Sequence, residues 1–126
     1  MTDRIFADIA PIAYEGADSD NMLAFRHYDP DRLVLGKTMA EHLRLAVCYW
    51  HSFAWPGADI FGAGTFDRPW MPGEICTPER ASLKLENAFD FFERLGAPFF
   101  CFHDVDAMAT AATPEEHHRN LSDIVE

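Results

Sequence analysis

Basic residues are scarce in this sequence: 10 Lys and Arg stand against 21 Asp and Glu, a formal charge of −11 with neutral histidines. An excess of that sign repels phosphate backbones and anionic lipid, so no nucleic acid and no membrane surface is expected as a partner. The acidity is scattered along the chain and reads as a solvated surface. Long apolar runs are lacking too; none approaches the ~20 residues a membrane helix needs. Met1-Thr2-Asp3-Arg4 reads as a true start and leads into a mixed polar stretch, not a signal-peptide core. Cysteine is limited to Cys48, Cys76 and Cys101, an odd number without CxxC spacing. Neither a disulfide framework nor a zinc site is expected from them, and reduced thiols in a cytoplasmic protein fit better. Internal repeats and low-complexity linkers are absent as well.

What remains is enough for one small domain of 126 residues, 48% hydrophobic and 13% aromatic. Residues 1–40 read as an irregular extension with a turn at Asp29-Pro30-Asp31. Residues 43–53 (Leu-Arg-Leu-Ala-Val-Cys-Tyr-Trp-His-Ser-Phe) form an apolar, aromatic run that suits a strand buried on both faces, its start overlapping the end of a helix from Met39. Residues 55–73 are rich in Gly and Pro and read as a long loop whose aromatics Phe61, Phe66 and Trp70 cover something.

The strongest helix signal follows. Thr77 is an N-cap, Pro78 takes the first helical position and Glu79 adds an acid to the first turn. Leu85, Ala88, Phe89, Phe92 and Leu95 recur on one face, Gly96 is a C-cap and Pro98 forbids the helix's return. Residues 99–102 (Phe-Phe-Cys-Phe) read as a second buried strand. Thr113-Pro114-Glu115-Glu116 opens another helix, with Glu116 set to complete a capping box. Strand, loop, helix, strand, loop, helix is the order of parallel βα units. Two such units cannot close a sheet, and the helical pattern runs to Val125-Glu126 without a stop signal. A closed (β/α)8 barrel needs ~250 residues. The expected fold class is therefore α/β: the first units of a TIM barrel over residues 41–126, preceded by the extension and cut short at the carboxyl end.

Functional groups in parallel α/β proteins sit where strands end and loops begin. His103-Asp104-Val105-Asp106 lies at that point. An imidazole moves protons near neutral pH, and a carboxylate three residues on can reach back to one ring nitrogen and fix the tautomer. The bland alternative is a polar strand end, with Asp104 capping a turn.

Cys101-Phe102-His103-Asp104-Val105-Asp106 resembles the active-site segment of the xylose isomerase family, in its longer-chain class with an amino-terminal extension. So do Tyr14-Glu15-Gly16, Asn21-Met22-Leu23-Ala24-Phe25-Arg26-His27-Tyr28 and Leu35-Gly36-Lys37-Thr38-Met39. Cys48-Tyr49-Trp50-His51-Ser52-Phe53, Gly57-Ala58-Asp59, Phe61-Gly62 and Gly64-Thr65-Phe66-Asp67-Arg68-Pro69-Trp70 continue the likeness in order.

The resemblance implies isomerisation of xylose to xylulose, with glucose to fructose as a side activity. It implies two divalent cations, Mg2+, Mn2+ or Co2+, that polarise the substrate oxygens while a hydride moves between C2 and C1. It puts the catalytic histidine on His103 and its partner aspartate on Asp106. Trp50 matches an aromatic that walls the sugar pocket, and Phe61 one that reaches into a neighbouring subunit's site, within a homotetramer. The family's metal ligands come from later strands, so none is expected in this segment. After Asp106 the family continues toward Pro-Glu-Gly, whereas this chain has Ala107-Met108-Ala109-Thr110-Ala111. Other readings are a non-catalytic acidic binding module and another sugar isomerase or endonuclease of related barrel type. A phosphate loop at Leu35-Gly36-Lys37-Thr38 fails because position 31 is Asp31 where the pattern needs glycine.

Overall fold

Where the sequence punctuates itself most strongly, the chain folds as that punctuation dictates. In a computed structural model describing residues 4–64, 68–70 and 75–125, the Thr77 hydroxyl accepts from the Arg80 amide and Pro78 opens the longest helix (α2, Pro78–Leu95). Gly96 closes it at φ 69°, a left-handed conformation that costs a side-chain-bearing residue far more. A second helix (α4, Pro114–Asp123) starts from Thr113, whose hydroxyl accepts from the Glu116 amide. The reciprocal arm of that box lands one residue early, because the Glu116 carboxylate accepts from the Ala112 amide. α4 also ends sooner than the pattern indicated: Ile124 and Val125 turn away after Asp123, the Val125 amide donating to the Ser122 carbonyl.

Two short strands (β3, Ala46–Cys48, and β4, Phe99–Cys101) pair in parallel, Ala46 beside Phe99, Val47 beside Phe100 and Cys48 beside Cys101. α2 lies between them in sequence, so this is one βα-β unit, as the element order requires. Residues 43–53 are not a single strand, however. Leu43 ends a short helix (α1, Met39–His42), and β3 occupies only the middle of the run. From Trp50 to Ala54 the backbone forms a wide helical turn in which the Trp55 amide donates to the Trp50 carbonyl at 2.7 Å. Tyr49 and Phe53, four residues apart, stack on one side of that turn with ring centroids at 5.5 Å. An apolar run reports burial and is silent about which backbone buries it. Nor are the strands buried on both faces in this chain: Val47 is, but Phe99 and Phe100 remain 38% and 41% exposed.

The core gathers on one side of the parallel pair. Phe53 sits at its centre, within 5.9 Å, centroid to centroid, of Tyr49, Trp70, Phe91 and Phe92. Trp70 is buried there, as a packing group, its indole N–H donating to the Phe53 carbonyl at 2.9 Å. Phe66 falls outside the described residues.

The amino-terminal extension is only partly irregular, and it is strapped to α2. The Ile5 amide donates to the Asn87 side chain, Phe6 meets Phe91, the Arg94 guanidinium donates to the Ile9 carbonyl and the Ile12 amide donates to the Arg94 carbonyl. Further on, β1 (Leu33–Val34) and β2 (Lys37–Thr38) make an antiparallel hairpin. Its two-residue turn, Leu35 and Gly36, has positive φ at both positions, the geometry that matches the twist of the flanking strands. Thr38 and Glu41 then cap α1 reciprocally, through the Thr38 hydroxyl and the Glu41 carboxylate.

Candidate functional site

At the carboxyl ends of β3 and β4 the matched pair Cys48 and Cys101 is followed, two residues on in each strand, by Trp50 and His103. The pairing register thus brings both candidates to the same edge of the sheet. Between them Tyr49 and Phe102 face each other at 6.4 Å. The Cys101 thiol has its pKa pushed up, mainly by a hydrogen bond with Cys48 and secondarily by burial.

His103 leaves β4 in extended conformation and caps a single helical turn (α3, Asp104–Ala107). That turn points Asp106 back at the strand end. Asp106 Oδ2 lies 2.7 Å from His103 Nδ1 and also accepts from the His103 amide at 3.3 Å. A carboxylate can only accept, so the pair fixes the proton on Nδ1 and leaves Nε2 free. The His103 side chain is 70% exposed while that of Asp106 is 12% exposed. The imidazole is therefore accessible while the carboxylate that holds it is mostly covered. Asp104 plays a local part, its carboxylate accepting from the Val105 amide.

The segment after Asp106 is held firmly despite its unusual sequence. Ala107, Met108 and Ala109 are buried; Thr110 exchanges two hydrogen bonds with Cys76, and Asn120 donates to the Ala109 carbonyl. Small residues let α4 and the start of α2 close over this stretch.

Trp50 opens the wide turn, with its ring centroid 4.2 Å from that of His51 and 6.4 Å from that of Trp55. The Trp50 side chain is partly exposed. Phe61 is set apart from the pair. It stands at the tip of a tight turn closed by Asp59 and Gly62, its amide donating to the Asp59 carboxylate, and its side chain is 89% exposed. Its position suits a contact beyond this chain.

Sequence reading passed over two side chains behind the site. Tyr49 is 2% exposed, its hydroxyl has no hydrogen-bond partner among the described residues, and burial pushes its pKa up. Lys84 on α2 donates from Nζ to the Asp106 carbonyl and lies 5.8 Å from the Tyr49 ring centroid. The available signal was its spacing: Ala81, Lys84 and Ala88 share the buried face of α2. Among the described residues, no three His, Cys, Asp or Glu side chains come together so as to hold a metal ion. No helix of the described residues is long and apolar enough to cross a membrane.

No family model matches the chain. Individual relatives do. It is 59% identical over 124 residues to the xylose isomerase of Solibacter usitatus, a match covering 98% of the chain. Against the xylose isomerase of Ruegeria pomeroyi it is 56% identical over 123 residues, again 98% of the chain. The xylose isomerase of Allorhizobium ampelinum is 52% identical over 126 residues, the whole chain. In each case the chain spans 28% of the relative's length. The resemblance read from separate motifs therefore runs through the entire sequence.

Proposed function

We propose that this chain, xylose isomerase family sequence along the whole of its length, is the amino-terminal part of an enzyme that interconverts xylose and xylulose, with glucose and fructose as side substrates. The observation that supports this most is the His103–Asp106 pair, 2.7 Å apart at the end of a parallel strand, inside a sequence that matches xylose isomerases throughout. Residues 41–126 are then the first units of one barrel domain and residues 1–40 its extension, and the complete protein is a cytoplasmic homotetramer.

His103 is the catalytic residue of this segment. With Nδ1 tied to Asp106, neutral Nε2 is an acceptor for a sugar hydroxyl, so the ring helps bind the closed sugar and takes up or returns a proton as the ring opens. Asp106 keeps the imidazole in that tautomer and orientation. Trp50, partly exposed at the same sheet edge, walls the pocket, and Phe61 reaches toward a neighbouring subunit's site. The family's divalent cations stabilise charge developing on the substrate oxygens when bound. The described residues offer them no donor set. Their ligands are expected from sequence outside this segment, and the chain alone is read as inactive.

The test is a graft. Residues 1–126 replace the matching segment of the Solibacter usitatus enzyme, and the purified protein is assayed with xylose and magnesium or manganese in a host lacking its own isomerase. Xylulose formation within about tenfold of the parent rate is expected, a difference of at most ~1.4 kcal/mol in the activation barrier. A folded, metal-loaded graft that makes no xylulose would contradict the proposal.

A further inference from the structure

We propose that Lys84 is a positioning residue for the histidine–aspartate pair, its buried ammonium gripping the Asp106 carbonyl from behind the site. The inference rests on the reading of His103 and Asp106 as the reacting pair and assigns that pair a third member on a different element.

Asp106 is held at both ends. Its carboxylate meets His103 Nδ1 at 2.7 Å, and its carbonyl accepts from Lys84 Nζ. The two partners come from opposite directions, one from the strand end and one from α2. The α3 turn is only four residues long, and a single turn has little stability of its own. Without a fixed point on α2, the Asp106 carboxylate would be aimed at the imidazole only by the local bonds of its own turn to the His103 backbone.

Lys84 is an uncommon residue for its place. Lysine is almost never fully buried without a partner, yet Lys84 is 7% exposed, on the same face as Ala81 and Ala88. An apolar side chain would fill that space without the cost of desolvating an ammonium. A long side chain ending in a donor can cross from α2 to satisfy the Asp106 carbonyl, and Lys84 does so. The groups facing it are the Tyr49 ring, Asp106 and Cys76. Burial lowers its pKa, while the charges of Cys76 and Asp106 pull it back up. Asp106 on α3 and Cys76 just before α2 thus help keep the ammonium charged.

The tautomer of His103 reads this directly. Free imidazole prefers its proton on Nε2, and the Asp106 carboxylate reverses that preference only while it is aimed at Nδ1. In the Solibacter usitatus graft carrying residues 1–126, labelled with 15N-histidine, the nitrogen shifts of neutral His103 should show Nδ1–H as the main form. Lys84→Met should lower the Nδ1–H to Nε2–H ratio by roughly tenfold, the weight of about one hydrogen bond to a charged group. Lys84→Arg keeps a donor at the same reach and should restore most of the ratio, whereas Asp106→Asn should abolish the bias whatever occupies position 84.

A Lys84→Met chain that keeps its helical circular dichroism and an unchanged His103 tautomer would overturn the proposal. So would a parent chain without the Nδ1–H form. Should Lys84→Met lose helix content, the parent decides: Lys84 ammonium protons that exchange with water as fast as those of the exposed Lys37 would also overturn it, and protected ones uphold it. None of these readouts uses sugar. Failure of the graft to make xylulose would leave them standing, and an unaltered tautomer would leave the xylose reading intact.

Discussion

Replacing His103 with alanine should lower kcat/KM for xylose by ~10²–10⁴-fold in a complete enzyme that carries this segment, the usual contribution of a positioned acid or base. The side chain is mostly exposed and makes no core contact, so the loss should fall on chemistry and sugar binding and leave folding intact. Asp106→Asn should cost less. An asparagine amide can present either its oxygen or its NH2 to Nδ1, so it no longer fixes the tautomer, and it lacks the negative charge that stabilises the ring when it gains a proton. Steady-state kinetics on the graft, with thermal unfolding as a control, measures both. If the two variants stay within a few-fold of the parent, His103 is a structural histidine and the site lies elsewhere.

The isolated 126-residue chain should self-associate strongly. It exposes 9231 Å² of surface. A compact monomer of its 14.3 kDa would expose about 6,800 Å², so about 2,400 Å² awaits cover. Part of that excess is apolar and contiguous with the sheet. Phe89, Phe99, Phe100 and Phe102 are all exposed along β4 and the face of α2 beside it. A two-stranded parallel pair also keeps both edges open, and open apolar edges recruit other chains. Sedimentation across a concentration series should show dimers and larger species, with binding of a hydrophobic dye that falls as association proceeds. A monomer at every concentration, silent to the dye, would favour the self-contained acidic binding module over the barrel segment.

The parts of this fold that were legible in the sequence are those set by local chemistry. Thr77, Pro78 and Gly96 bound α2 because capping groups and a left-handed glycine act within a few residues of themselves. The reach of Asp106 back to His103 is equally local, three residues along a single turn. Residues 43–53 failed because burial was legible and backbone was not. Tyr49 and Phe53 meet through helical spacing, a pattern hidden inside an unbroken aromatic run.

Glu116 shows the limit of a cap signature: the carboxylate reached an amide one residue before the expected one. At Thr38 the same signature, with Glu41 three residues on, lay unread in a stretch taken as irregular. Lys84 was invisible for a different reason. Its charge removes it from any apolar pattern, and its partner lies 22 positions away on another element. That Trp50 and His103 share one edge follows from the pairing register, which no local signal prints. Phe61 is exposed at its turn, and the partner that the resemblance implies for it is not something a single chain displays.

The proposed aldose–ketose isomerisation runs by hydride transfer between C2 and C1, with His103 handling protons on oxygen alone. Xylose deuterated at C2, turned over by the graft in ordinary water, tests it most directly. Hydride transfer predicts xylulose that keeps its deuterium at C1, because the hydrogen never leaves the sugar. Xylulose with that deuterium washed out would show a base removing it as a proton and contradict the mechanism, and a folded graft yielding no xylulose would contradict the function.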